Sequence, residues 1–125
     1  MAVSIFNEGD LEKNIDSLNT QITNAVKVGT FTFTPNGSVI GSSGTICKKF
    51  GKLCIFNING IYSGSAQSGW QSIGTVNVTA DNTYYSVFST GSGNREVRIT
   101  NSSIDVYNPP GAGNDILGQI VFIST

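Results

Sequence analysis

The chain changes its hydrophobic period once. In DLEKNIDSLNTQITNAVKV, residues 10–28, apolar side chains recur at Leu11, Ile15, Leu18, Ile22 and Ala25, at spacings of 4, 3, 4 and 3. This is the a/d rhythm of a coiled coil. It predicts an amphipathic helix capped by Asn7 or Asp10 and stopped at Gly29. Two heptads cannot hold together alone, because so short a helix barely recovers its nucleation cost in water. The stripe therefore needs a partner. The favoured reading is a short bundle of copies; the other is a helix lying on its own domain. Isoleucine at a with leucine at d leans weakly toward two strands.

From Gly29 onward the period becomes two. TFTFT sets Phe31 and Phe33 on one face and threonines on the other. GTICKK and KLCIFNING read as a hairpin, followed by WQSIGTVNV, TYYSVFST, REVRIT, SSIDVYN and DILGQIVFIST. Turn signals lie between them: SGSAQSG, ADN, GSGN, NSS and NPPGAGN. Seven to nine short strands at this spacing predict a mainly β chain, with an antiparallel, jelly-roll-like sandwich or barrel over residues 29–125 behind a helical stalk at 1–28. The last strand, apolar at every other position or better, is expected at the centre of the sheet with both faces covered.

Composition narrows the function. Charged residues make up 12%, about half the usual share, and Ser, Thr, Asn and Gly fill the gap. With net charge −1 and seven basic residues in no large patch, phosphate-driven binding of nucleic acid is not expected. The N-terminus shows no basic region followed by an apolar run, and no segment approaches the ~20 apolar residues of a membrane span. Folding in a cytoplasm, or release from one by lysis, is the expectation. No histidine is present to serve as the base of an acyl-transfer triad. The acids of the β region, Asp81, Glu96, Asp105 and Asp115, are scattered beside turns as on a solvated surface. Neither an enzyme nor a metal or other cofactor is expected. GSGNRE leads into another strand, so it is a hairpin turn and not a phosphate loop.

Two cysteines flank KKFGKL. A two-residue turn at Phe50–Gly51 would set Cys47 opposite Cys54 and make a disulfide available. A three-residue loop with Gly51 left-handed would set Ile46 opposite Cys54 and put the thiols on opposite faces.

Beside the loops stand aromatic and planar polar side chains: Tyr62, Trp70, Tyr84, Tyr85, Asn94, Arg95, Arg98, Asp105 and Tyr107. Rings offer stacking surface at low entropy cost, and forked polar groups hydrogen-bond hydroxyls, so the set suits saccharides. Tyr84 and Tyr85 point to opposite faces of one strand, so one of them belongs to the core.

KKFGKLCIFNINGIYSG, SGWQSIGTV, YYSVFSTGSGNREVRITNSSIDVYN and GNDILGQIVFIST together resemble a module at the C-terminus of phage tail and receptor-binding proteins, mostly from phages of Gram-positive bacteria, lactococcal siphophages included. The resemblance spans roughly residues 44–125. It rests on a K-aromatic-G-K hairpin, a GW-x-x-I-G-T segment and an apolar last strand. VNVTADNTYY departs from it where the module usually carries a proline-rich P-x-G-Y-R-P stretch. The resemblance implies a β-barrel or sandwich head that forms homotrimers, binds host cell-surface polysaccharide without catalysis, and sits in the virion beside other tail or baseplate proteins. Arg95, Asn94, Asp105, Tyr107, Tyr84 and Tyr62 are the leading saccharide candidates. Trp70 ranks below them, because a tryptophan common to the module is expected to be largely buried or packed at a subunit interface, with its indole N–H hydrogen-bonded. Two other readings are a trimeric baseplate, fibre or capsid-decoration subunit that binds no glycan, and a C1q/TNF-like bacterial surface trimer.

Overall fold

The computed structural model describes residues 8–37, 39–40 and 44–125. Helix α1 spans Glu8–Val26. Asp10 stands inside its first turn rather than before it, where its carboxylate favours the unpaired N–H groups. The other cap candidate, Asn7, lies outside the described residues. The strands are β1 (Val28–Thr30), β2 (Phe33–Pro35), β3 (Val39–Ile40), β4 (Ile46–Phe50), β5 (Leu53–Tyr62), β6 (Trp70–Val76), β7 (Tyr84–Thr90), β8 (Gly93–Thr100), β9 (Ser103–Tyr107) and β10 (Asp115–Ile123). No described helix is long and apolar enough to cross a membrane.

The strands form one antiparallel sheet ordered β1-β4-β5-β10-β7-β8-β9-β6-β2, with β3 also on β5. Its two ends, β1 and β2, are separated in the chain only by Phe31 and Thr32, so the sheet curls until its edges adjoin. The Phe31 N–H donates to the Cys47 carbonyl at 3.4 Å, and the Phe33 and Phe56 rings meet at 4.9 Å. TFTFT is therefore not one strand. It breaks at Phe31–Thr32, where the chain passes from one edge to the other. The chain is a mainly β, antiparallel head of the barrel or sandwich kind.

Alternation fills the interior. Phe56, Phe88, Phe122, Ile58, Ile99 and Ile104 are fully buried. Gly118 on β10 stands opposite Phe88 of β7, and a Cβ there would strike the Phe88 ring. The ring can cross β10 only because that position has no side chain.

The β4–β5 hairpin turns at Gly51–Lys52, with Phe50 opposite Leu53 and Gly51 left-handed at φ 60°. This is one residue on from the tighter expected turn. Cys47 pairs with Phe56 and Cys54 with Lys49, so the thiols share the inner face on a diagonal, and both are free. Burial pushes the Cys47 thiol up to about 11 and raises that of Cys54 as well.

β10 is central in its pairing, between β5 and β7. Only its inner face is covered: Leu117 and Val121 are exposed. No described element packs outside the sheet.

Candidate functional site

The outer face of β6, β9, β8 and β7 carries the chain's densest group of aromatic and forked polar side chains. Its geometry follows from a short turn. With Thr100 opposite Ser103 and Asn101 left-handed at φ 51°, counting back along the hairpin sets Arg98 opposite Asp105. Tyr85 lies opposite Arg98 on one side, and Ser72 lies opposite Asp105 on the other. One cross-strand row thus reads Ser72, Asp105, Arg98, Tyr85. The next row sets Trp70 opposite Tyr107.

Arg98 joins the two rows. Its Nε donates to Asp105 Oδ2 at 2.9 Å, and its guanidinium carbon lies 4.3 Å from the centre of the Trp70 ring. Trp70 also meets Tyr107 at 5.2 Å and Tyr85 at 6.1 Å between ring centres, tilted by 56° in both pairs. Asp105 is the buried member, its side chain 9% exposed against 27% for Arg98. Ser103 Oγ donates to its other oxygen at 2.6 Å and lies 3.1 Å from Ser72 Oγ. The carboxylate is held on both oxygens, while the two Nη groups of Arg98 have no acceptor among the described residues. Around this fork stand tyrosine rings that are 60% (Tyr85) and 41% (Tyr107) exposed. The arrangement offers ring faces and paired N–H donors to one ligand, which suits a polyhydroxylated or anionic one.

Trp70 is half-buried on this outer face, not in the core, its ring held by Arg98 and Tyr107. A β-bulge between Ser72 and Gly74 lets Trp70 and Ser72 face outward while Ile73 and Val76 face inward.

Of the other residues singled out in the sequence, Arg95 sits at the end of the barrel and binds backbone. Its Nε donates to the Asn108 carbonyl at 2.8 Å, and its Nη1 reaches the Ser92 and Asn94 carbonyls at 3.2 Å. Asn108, left-handed at φ 48°, exchanges bonds with Gly69: its N–H donates to the Gly69 carbonyl, and its Oδ1 accepts the Gly69 N–H. Arg95 therefore fixes the segment that enters Trp70. Asn94 is exposed at the β7–β8 turn. Tyr84 faces inward, its ring near Phe122 and its hydroxyl donating to Asp81, a bond that raises its pKa. Tyr62 is buried in the core. Asp105, Tyr107 and Trp70 thus come together, joined by Arg98 and Tyr85. The signal for those two was the parity of β7 and β8 combined with the two-residue turn at Asn101–Ser102.

The described residues also outline a cleft of about 250 Å³ where the sheet edges adjoin, lined by Phe31, Thr32, Phe33, Thr45 and Cys47. It carries hydroxyls but no forked group.

The class is that of a curled antiparallel β head with an N-terminal helix and an aromatic–arginine cluster on its outer wall. Among solved structures it is similar to the receptor binding protein (gp15) of Listeria phage PSA, at 16% identity and a TM-score of 0.59, covering 100% of this chain and 82% of that one. No protein-family model and no curated protein matches the chain.

Proposed function

We propose that this chain is the head of a phage adhesin, a non-enzymatic virion component of the tail that assembles as a homotrimer and holds host cell-wall saccharide on the outer face of β6, β9, β8 and β7. One observation carries the reading. Exposed Tyr85 and Tyr107 flank an Arg98 fork that is itself held by Asp105 and stacked on Trp70. A part-buried ion pair thus sets unused N–H donors beside solvent-facing rings, the combination that suits a polyhydroxylated ligand. The likeness in fold to a phage receptor binding protein supports the same reading. Each site is expected to be weak, about millimolar or 4 kcal/mol, with several sites per particle supplying avidity.

The test is retention of the chain on immobilised wall polysaccharide from Gram-positive hosts. Tyr85→Ala is the informative variant, since an exposed ring is removed and stability should change by less than about 0.5 kcal/mol. Loss of retention by this stable variant is expected, as is unchanged polysaccharide length after long incubation. Failure to bind any wall polysaccharide would favour a purely structural tail subunit. Shortened polysaccharide would overturn the non-enzymatic assignment.

A further inference from the structure

The rest of the sheet's outer face has a different chemistry from the aromatic–arginine cluster. Across the outer face of β1, β4, β5 and β10, the row nearest the Gly51–Lys52 turn reads Val28, Phe50, Leu53, Ile123. The next contains Ile55 and Val121, with Lys48 at its side. Beyond them the face is mixed, with Asn57 between Ile46 and Gln119 and then Asn59 beside Leu117. The apolar end is the end at which the helix enters, because α1 stops at Val26 and Val28 is already paired with Phe50.

Leu11, Ile15, Leu18 and Ile22 of that helix are 41–59% exposed, and Val28, Ile46, Phe50, Leu53 and Val121 are 37–55% exposed. Together these side chains show on the order of 700 Å² of apolar surface, close to the roughly 800 Å² per partner that a standard stable interface buries. Single monomers rarely leave a contiguous patch beyond a few hundred Å² uncovered. A helix of this length with an uncovered a/d stripe is also marginal in water.

We propose that the outer face of β1, β4, β5 and β10 is where parallel copies of this chain meet, continuing the helix seam into the head and leaving the cluster around Arg98 open on every copy. The occupant follows from the spacing. The a/d stripe is complementary to another copy of itself, and a rotation axis along a bundle of such helices brings the same apolar end of each head toward that axis. The chain order gives the consequence: β8, β9 and β6, which carry Arg98, Asp105, Tyr107 and Trp70, lie two or more strands from β5 and β10, so one face can be covered while the cluster stays free. The proposal rests on the adhesin reading only for its outcome, the avidity of several outward-facing sites.

Light scattering of the full chain at micromolar concentration tests it without ligand. Wild type is expected to be a multimer. Leu53→Glu with Val121→Glu should weaken association by about 100-fold or more, because burying two unpaired carboxylates is unfavourable. Glu96→Lys, at an exposed position of β8 two strands from β10, should leave it unchanged. Circular dichroism checks that the variants fold. Should the double variant unfold, Val121→Thr, close in shape, should still shift dissociation several-fold. A monomeric wild type, or a multimer broken by Ile15→Asp but indifferent to every outer-face change, would overturn the proposal. A monomer that binds polysaccharide sinks this inference together with the proposed homotrimer and spares the saccharide site. A multimer of the expected kind that binds none does the reverse.

Discussion

Removing Arg98 should cost more than its half-exposed position implies. Its Nε lies 2.9 Å from Asp105 Oδ2, and the carboxylate side chain is only 9% exposed. Breaking a fully buried pair by deleting one partner costs ~3–5 kcal/mol, since the remaining charge stays desolvated. Exposed pairs contribute about 0–1 kcal/mol. Here Arg98 keeps 27% of its surface in water, and Ser103 still donates to the stranded carboxylate, so the cost falls below the buried limit. Arg98→Ala also loses the stack on Trp70, about 0.5–1 kcal/mol at such a site. The expected destabilisation is about 2–3 kcal/mol in all. Asp105→Ala should cost less, about 1–2 kcal/mol, because the arginine can extend into solvent. In Arg98→Ala with Asp105→Ala no charge is stranded, and the double variant should lie within about 1–2 kcal/mol of wild type. The cycle then returns a favourable coupling of about 2 kcal/mol. Urea unfolding at one fixed chain concentration measures it, because the stability of an assembling chain depends on concentration. A loss under about 0.5 kcal/mol for Arg98→Ala, or a coupling near zero, would refute the assignment of Asp105 as a buried carboxylate that depends on Arg98.

Two further outcomes follow from the interior. Gly118→Ala forces the Phe88 ring aside and should destabilise by ~1–3 kcal/mol, read as a lower urea midpoint with polysaccharide retention intact; an unchanged midpoint would mean that the ring is free to move. Cys54, fully buried, should resist a thiol reagent at pH 8 until urea is added. Because burial holds the folded Cys47 thiol near 11 against an ordinary 9.0, its contribution to stability is present below pH 9 and lost as pH rises toward 11. Cys47→Ser should flatten that part of an alkaline stability profile, and an unaltered profile would place the loss elsewhere.

Much of the fold is legible along the chain because alternation is a local signal. Each of β4 to β10 follows an apolar–polar run, and the helix follows its heptads. The failures lie where a long-range closure decides. TFTFT alternates like one strand, but the curled sheet needs Phe31 and Thr32 to carry the chain between its edges. The hairpin turn moved by one residue, and that shift set the thiols on a diagonal instead of directly opposite each other. The candidate site was half legible: Asp105, Tyr107 and Trp70 stood among the ranked saccharide candidates while Arg98 and Tyr85 stood only in the wider set, and the ranking also held Tyr62, which the core absorbs, and Arg95, which the backbone carbonyls of Ser92, Asn94 and Asn108 absorb.

By itself the sequence determined the helix, the two-residue period of the head and the scarcity of charge. Those depend on side-chain type and spacing, which act over one turn or one strand. Only the tertiary structure decided that Arg98 lies between Asp105 and Trp70, that Tyr85 and not Tyr84 faces outward with them, and that the outer face of β10 has no cover among the described residues. Those depend on cross-strand register and on the curl of the sheet, which bring together residues that no local pattern connects.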